Sequence, residues 1–439
     1  MSRELTIDTF PIIILSMNNS YRKFIHLLYR SIKRSGILKA IGKPSRFPDE
    51  PREFTYCAFL KDSRRFSDGT NFSIAAFGFS FISKELALLK CLAEAIERFA
   101  TICYENRFIK RALLGELNSE VLHPTLFTGN TTIGKKKLGW VKGYNLIKQT
   151  ACFIPAQVIY LNYRDRKKEG TLTTPITTGT AGGFTHESTL LRGIYEVIER
   201  DAFMTVYLNQ IKAPKIEIQS LRNKKIAEIA QKAKRYNLEV EIFNITHDLE
   251  IPVFLTLLID RTGFGPAVSL GLKANLSFEV AIVGSMEESF LPRVSVRREM
   301  IKRAAHSFSF TPSQVTTHVI RGLFWATPAM LTHLDFLRKQ KSVPIDLPPF
   351  GKNEKTALEI AVGVLRKKAI EAFYADITPP PFRKIGFYVY KVLMPQLQPM
   401  YLNEQKREWR VNRLQSVYEY FGYKNFSLTN LNTVPQPFI

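Results

Sequence analysis

The chain has 439 residues, enough for one large core or two moderate ones, and its 45% hydrophobic and 23% charged residues exclude overall disorder. The early apolar run Phe10–Leu15 is too short to cross a bilayer and lacks the flanks of a secretory signal. The four cysteines (Cys57, Cys91, Cys103 and Cys152) form no CxxC pair, which excludes a structural zinc site and leaves reduced thiols of a cytoplasmic protein.

A formal charge of +23 fits a polyanionic partner, and it equally fits the lysine-rich drift of basic proteins from AT-rich genomes. No nucleic-acid-binding signature accompanies the charge, so no nucleic acid is expected.

Residues 1–54 read as a basic N-terminal extension with one amphipathic helix. Arg22, Lys23, Arg30, Lys33, Arg34, Lys39, Lys43 and Arg46 stand there among Phe24, Ile25, Leu27, Leu28 and Ile37. Such a surface suits nucleic acid, an anionic membrane surface or an acidic peptide. A first helix is expected over 83–103, fed by a turn at Phe77-Gly78-Phe79-Ser80. Residues 139–162 alternate like strands with turns. The small-residue stretch Thr177–Gly183 reads as a loop opening onto a second helix, where backbone N–H groups and the helix dipole can approach an anion.

That second helix repeats the first. Glu94-Ala-Ile-Glu97-Arg98 returns as Glu196-Val-Ile-Glu199-Arg200, and the same offset of 102 carries Ser83 onto Thr185, Glu85 onto Glu187 and Lys90 onto Arg192. Carboxylates at i and i+3 lie one turn apart on one side of a helix and repel each other. A solvated surface helix would tolerate such a run, but these stripes also carry Leu88, Leu92, Ile96 and Phe99. At least one carboxylate should therefore point inward, compensated by something cationic such as a divalent metal carrying a polyanion.

Strand patterns follow at 238–245 and 251–259, and a third helix starts at Ser277-Phe-Glu279, echoing the Ser/Thr-x-Glu openings of the first two. It bears Glu287 and Glu288 without a full ExxER, so two alignments stay open. Gly386–Leu393 alternates as a strand, and the apolar ending Val434-Pro-Gln-Pro-Phe-Ile439 suggests docking rather than fraying. The expected class is mixed α/β (α+β), built from repeated helix–strand units.

These residues resemble the YcaO family of ATP-dependent amide-activating enzymes. The resemblance rests on both ExxER helices, on Thr178–Gly183 and on Asp376-Ile-Thr378, Met394-Pro395-Gln-Leu-Gln-Pro399 and Arg413-Leu414. It spans about 55–439, so one catalytic domain with a proline-containing segment 430–439 is implied. The ending Asn432-Thr-Val-Pro435-Gln-Pro437-Phe438-Ile439 is most similar to the azoline-forming cyclodehydratases, whose closing residues reach the active site. The implied reaction converts Cys, Ser or Thr of a ribosomally made precursor peptide into thiazoline or (methyl)oxazoline by phosphorylating the amide oxygen. A thioamide- or amidine-forming enzyme and a non-catalytic docking scaffold are the alternatives.

The implied cofactors are ATP and Mg²⁺. Glu94, Glu97, Glu196 and Glu199 are the implied metal ligands, and Lys90, Arg98, Thr178, Gly179, Glu187, Arg200 and Glu287 the implied nucleotide contacts. Oxygen ligands suit Mg²⁺, and arginine forks suit phosphate. Arg98 and Arg200 serve either phosphate or the glutamates, and Arg200 has a structural alternative in Asp201. Pro435, Pro437 and Ile439 are implied in catalysis. Lys90, Thr178, Gln436 and Ile439 depart from the family's usual residues. A standalone chain without its own leader-binding domain implies an E1-like or leader-peptide-binding partner. A flavin-dependent azoline dehydrogenase and a homodimer are further implied partners, and no membrane span is expected.

Overall fold

The computed structural model describes residues 19–61, 75–102, 108–128, 135–303 and 309–439. The Phe10–Leu15 run and Cys103 lie outside them. The chain divides into two compact units, one formed by residues 1–45, 53–194 and 353–396, the other by 46–52, 195–352 and 397–439.

The first unit holds a three-stranded antiparallel sheet (Leu38–Gly42, Phe54–Leu60, Ala75–Ser80) and a seven-stranded sheet that includes Leu138–Asn145, Thr150–Pro155, Phe373–Asp376, Tyr388–Leu393 and, at its edge, Thr180–Gly183. Helices α1 (Asn19–Arg34) and α2 (Lys84–Ile102) bury their apolar stripes in its core. Ile25, Leu28 and Ile32 of α1 are fully buried, so residues read as an N-terminal extension are part of this unit's core. Burying that face forces Lys23, Arg30, Lys33 and Arg34 outward.

The expected turn at 77–80 is instead the end of a strand. Gly78 permits α2 to lie directly on it, because a Cβ there would come within 1.8 Å of the Ala87 carbonyl oxygen and 2.4 Å of the Cys91 nitrogen. The small-residue stretch before the second helix also differs from the expected loop, since Thr180–Gly183 forms a buried strand. Its small side chains let it pair tightly with Tyr388–Lys391.

The second unit is built on a five-stranded sheet in the order 268–274, 253–260, 238–244, 215–216, 342–343. Every residue of Val253–Asp260 is buried, which explains why the strand is apolar on both faces apart from Thr256 and Asp260. The helix Phe278–Phe290 packs on that strand and on Val268–Ala274. A glycine again permits the approach, since a Cβ on Gly271 would meet the Ser285 carbonyl oxygen at 2.0 Å.

Helix α3 spans His186–Leu208, and α4 denotes Phe278–Phe290. Among the described residues, no helix is long and apolar enough to cross a membrane.

Candidate nucleotide and metal site

Three helices start alike. Ser83 Oγ accepts the Leu86 N–H at 3.0 Å, Thr185 Oγ1 the Ser188 N–H at 3.1 Å, and Ser277 Oγ the Val280 N–H at 3.4 Å. Each is an N-cap that satisfies one otherwise orphaned donor. Glu94, Glu196 and Glu288 each stand eleven residues beyond their cap. The structure thereby decides between the two alignments of the third helix. Glu288, rather than Glu287, is the counterpart of Glu94 and Glu196, while Leu291 and Pro292 occupy the places of the second glutamate and the arginine. Glu287 is buried on the neighbouring helical position.

The carboxylates are fixed by backbone donors of nearby strands. In the first unit, Glu94 Oε2 accepts the Phe77 N–H at 2.8 Å, and Glu97 Oε1 accepts the Gly182 N–H at 2.6 Å. In the second unit, Glu199 Oε2 accepts the Ala274 N–H at 2.8 Å, and Glu288 Oε2 the Leu272 N–H at 3.0 Å. Such bonds aim carboxylates without neutralising them.

Arginine partners differ between the repeats. Arg98 forms a half-buried pair with Glu94, with Nε and Nη2 both 2.7 Å from Oε1. Arg200 is buried. Its Nη1 lies 2.7 Å from Glu199 Oε1, while Nη2 is 3.9 Å from Glu196 and 3.8 Å from Glu288. One guanidinium thus faces three carboxylates. Asp201 is not its partner; Arg413 takes that role, with Nη2 2.7 Å from Asp201 Oδ2.

The other predicted residues are placed as follows. Lys90 Nζ donates to the Phe79 carbonyl at 3.1 Å, along the seam between α2 and its strand. Thr178 accepts the buried Lys391 ammonium at 2.7 Å. Gly179 has φ +81, a left-handed turn that aligns its carbonyl with the Val392 N–H at 2.8 Å. Glu187 sits in the first turn of α3, about 13 Å along the helix from Glu196.

The closing segment is buried, as its apolar residues suggested. Trp325 Nε1 donates to the Pro435 carbonyl at 2.8 Å, Arg321 Nη1 to the Gln436 carbonyl at 2.7 Å, and Ile439 packs toward Gly322. The residue that reaches the carboxylate set is Phe438, whose ring centroid is 4.0 Å from the Arg200 guanidinium carbon. Glu288 is one of the two residues the sequence leaves open, and the cap spacing selects it. Phe438 does not stand out as a site residue, because no local pattern announces a ring that stacks from the far end of the chain.

Desolvation, reinforced by the neighbouring Glu199 carboxylate, pushes the Glu288 carboxyl up to about 7, against the pull of Arg200 and Lys273. Three carboxylates share the Arg200 guanidinium, and all-oxygen donors of this kind suit Mg²⁺. Among the described residues, no three His, Cys, Asp or Glu side chains close around one point.

A raised carboxyl pKa holds a proton near neutrality, and a bound cation must displace it. Mg²⁺ affinity is accordingly expected to rise as pH increases through about 7 and then level off. Calorimetry in buffers of different ionisation enthalpy should show proton release on binding, and Glu288→Gln should remove it. PH-independent binding in the unsubstituted protein would contradict the assignment.

The model of the YcaO family, described as YcaO cyclodehydratase, ATP- and Mg²⁺-binding, matches residues 81–398. An uncharacterised protein of Methanothermobacter thermautotrophicus is 24% identical over 286 residues, covering 62% of this chain and 68% of the relative. An uncharacterised protein in the tfuA 3′ region of Rhizobium leguminosarum bv. trifolii is 23% identical over 249 residues, 53% of each. Among solved structures, a heterocyclase in complex with substrate and cofactor superposes with a TM-score of 0.74 at 19% identity, covering 93% of this chain and 57% of that one. The YcaO protein from Methanopyrus kandleri bound with AMPPCP and Mg²⁺ gives 0.65 at 16% identity, covering 89% and 94%. The chain thus spans little more than half the length of that heterocyclase, and the structural likenesses speak for the fold.

Proposed function

The chain belongs to the YcaO cyclodehydratase family and is an enzyme whose cofactors are ATP and Mg²⁺, and on that footing we propose that it is a peptide cyclodehydratase forming thiazoline or (methyl)oxazoline rings in a ribosomally made precursor. The observation that carries the reading is the buried Arg200 facing Glu196, Glu199 and Glu288 in the unit whose closing Pro-Gln-Pro-Phe segment is seated against the same guanidinium.

In this reading Glu94, Glu97, Glu196, Glu199 and Glu288 are the ligands for Mg²⁺. Arg98, on the exposed side of its pair, is available to phosphate. Arg200 spaces the carboxylates, because its buried guanidinium is already engaged by Glu199 and covered by Phe438. Mg²⁺–ATP supplies the phosphoryl group that makes an amide oxygen a good leaving group once a Cys, Ser or Thr side chain has attacked its carbon. The residues around it provide fixed charge rather than covalent chemistry. A separate E1-like partner would deliver the precursor, and a flavin-dependent dehydrogenase would act on the azoline product.

The test is mass spectrometry of the candidate precursor after incubation with the protein, the partner and ATP. Loss of one water per ring is expected. A mass gain from oxygen-to-sulfur exchange would instead mean thioamide formation. An unchanged peptide together with no nucleotide binding would leave a docking scaffold.

A further inference from the structure

The segment from Asn432 to Ile439 is held by hydrogen bonds along most of its length. The Asn432 N–H donates to the Leu208 carbonyl at 2.8 Å, and Tyr207 Oη donates to the Val434 carbonyl at 3.2 Å and the Pro435 carbonyl at 3.3 Å. Arg321 has no exposed surface and forms the centre of the anchor. It donates to the Gln436 and Leu402 carbonyls, each at 2.7 Å, and to Glu404 Oε1 at 2.9 Å. Arg407 binds the other oxygen of Glu404 at 3.0 Å and the Thr433 carbonyl at 2.6 Å.

Gln436 then turns the chain. Its side-chain Oε1 accepts the Phe438 N–H at 2.5 Å, which sets the direction of the ring. That ring lies over the Arg200 guanidinium at 4.0 Å and approaches Phe203 on the same helix, with centroids 6.3 Å apart. The guanidinium is planar, and an aromatic ring over it limits how that plane can turn. Here the N–H donors look toward Glu199, Glu196 and Glu288.

We propose that Phe438, seated by Gln436 and Arg321, is a positioning residue that fixes the Arg200 guanidinium among Glu196, Glu199 and Glu288, so that the closing segment sets the affinity of these carboxylates for a divalent cation. Without the ring, Arg200 is free to rotate toward any one carboxylate. The other two then repel each other and lose the spacing a hard cation needs. The inference rests on reading these glutamates as Mg²⁺ ligands and adds control of that site by a segment more than two hundred residues away in sequence.

The experiment uses Mn²⁺ as probe, read from loss of the free-ion signal in electron paramagnetic resonance, with a non-hydrolysable ATP analogue present. Thermal melting without metal confirms that each variant is folded. Phe438→Ala and Phe438→Leu are expected to bind Mn²⁺ roughly ten-fold more weakly, because neither offers a π face, and Phe438→Tyr to bind as the parent does. Gln436→Ala should fall between. If Phe438→Leu matches the parent, the ring acts by packing alone and the proposal fails. If Phe438→Ala binds equally or more tightly, it fails as well. Glu199→Gln separates this failure from that of the underlying reading: a Glu199→Gln protein that binds Mn²⁺ like the parent removes the metal site itself.

Discussion

Glu199→Gln should lose on the order of 10²–10³ in kcat/KM for ATP while remaining folded, the scale seen when one preorganised electrostatic group is removed from a site. Glu199 is 2% exposed, and its two oxygens have separate tasks, one binding Arg200 at 2.7 Å and the other accepting the Ala274 N–H at 2.8 Å. A glutamine can still accept from Ala274 with its carbonyl oxygen. Its amide group then confronts the guanidinium, donor against donor, and the site loses one negative charge where a cation would bind. Arg200 keeps Glu196 and Glu288 within 4 Å, so no uncompensated buried cation remains, and the melting temperature should change little. Steady-state phosphate release together with a thermal melt checks both halves. Full turnover by the folded variant would refute the metal-site assignment.

Arg413→Ala is expected to destabilise the protein by about 3–5 kcal/mol in denaturant titrations, the range for removing one partner of a buried ion pair. Arg413 contacts both Asp201 oxygens through Nε at 3.1 Å and holds Asp248 with Nη1 at 2.8 Å and Nη2 at 2.9 Å. Asp201 has no exposed surface, and it also accepts the Gln398 N–H at 2.7 Å. Burial by itself would raise the Asp201 carboxyl; Arg413 and His247 overcome it and hold the group below the ordinary carboxylate range.

The sign with pH follows. In the parent, this depressed carboxyl contributes stability above the unfolded pKa of about 3.9, and the contribution is lost as pH falls through the folded value. Without Arg413 the carboxyl rises, so the variant's deficit should shrink as the buffer is taken from pH 8 toward pH 5 and Asp201 takes up a proton. A deficit independent of pH would show that lost packing, not charge, dominates. Asp201 follows Arg200 on α3, so turnover should fall with stability.

Much of the layout was legible because it is local. A cap, an apolar period and a carboxylate at a fixed distance from the cap are set within a few turns of one helix, and Ser83, Thr185 and Ser277 declare their helices by the side-chain oxygen each offers. Tight strand–helix seams misled the reading at Phe77–Ser80 and Thr180–Gly183. Glycine and small residues there serve close packing, yet in sequence they look like turns.

Residues 19–54 misled for a related reason. Exposed cations dominate their composition, while the buried stripe of Ile25, Leu28 and Ile32 reveals its role only once there is a core to receive it.

By itself the sequence pointed to the mixed α/β class, through local periodicity, and to the family, through the resemblance of its motifs. Tertiary structure alone decided that Arg200 faces Glu196, Glu199 and Glu288 together, that Arg413 serves Asp201, and that Phe438 lies over Arg200. Those pairings join residues up to more than two hundred positions apart, and which charge meets which is fixed by burial and chain path, on which local spacing is silent.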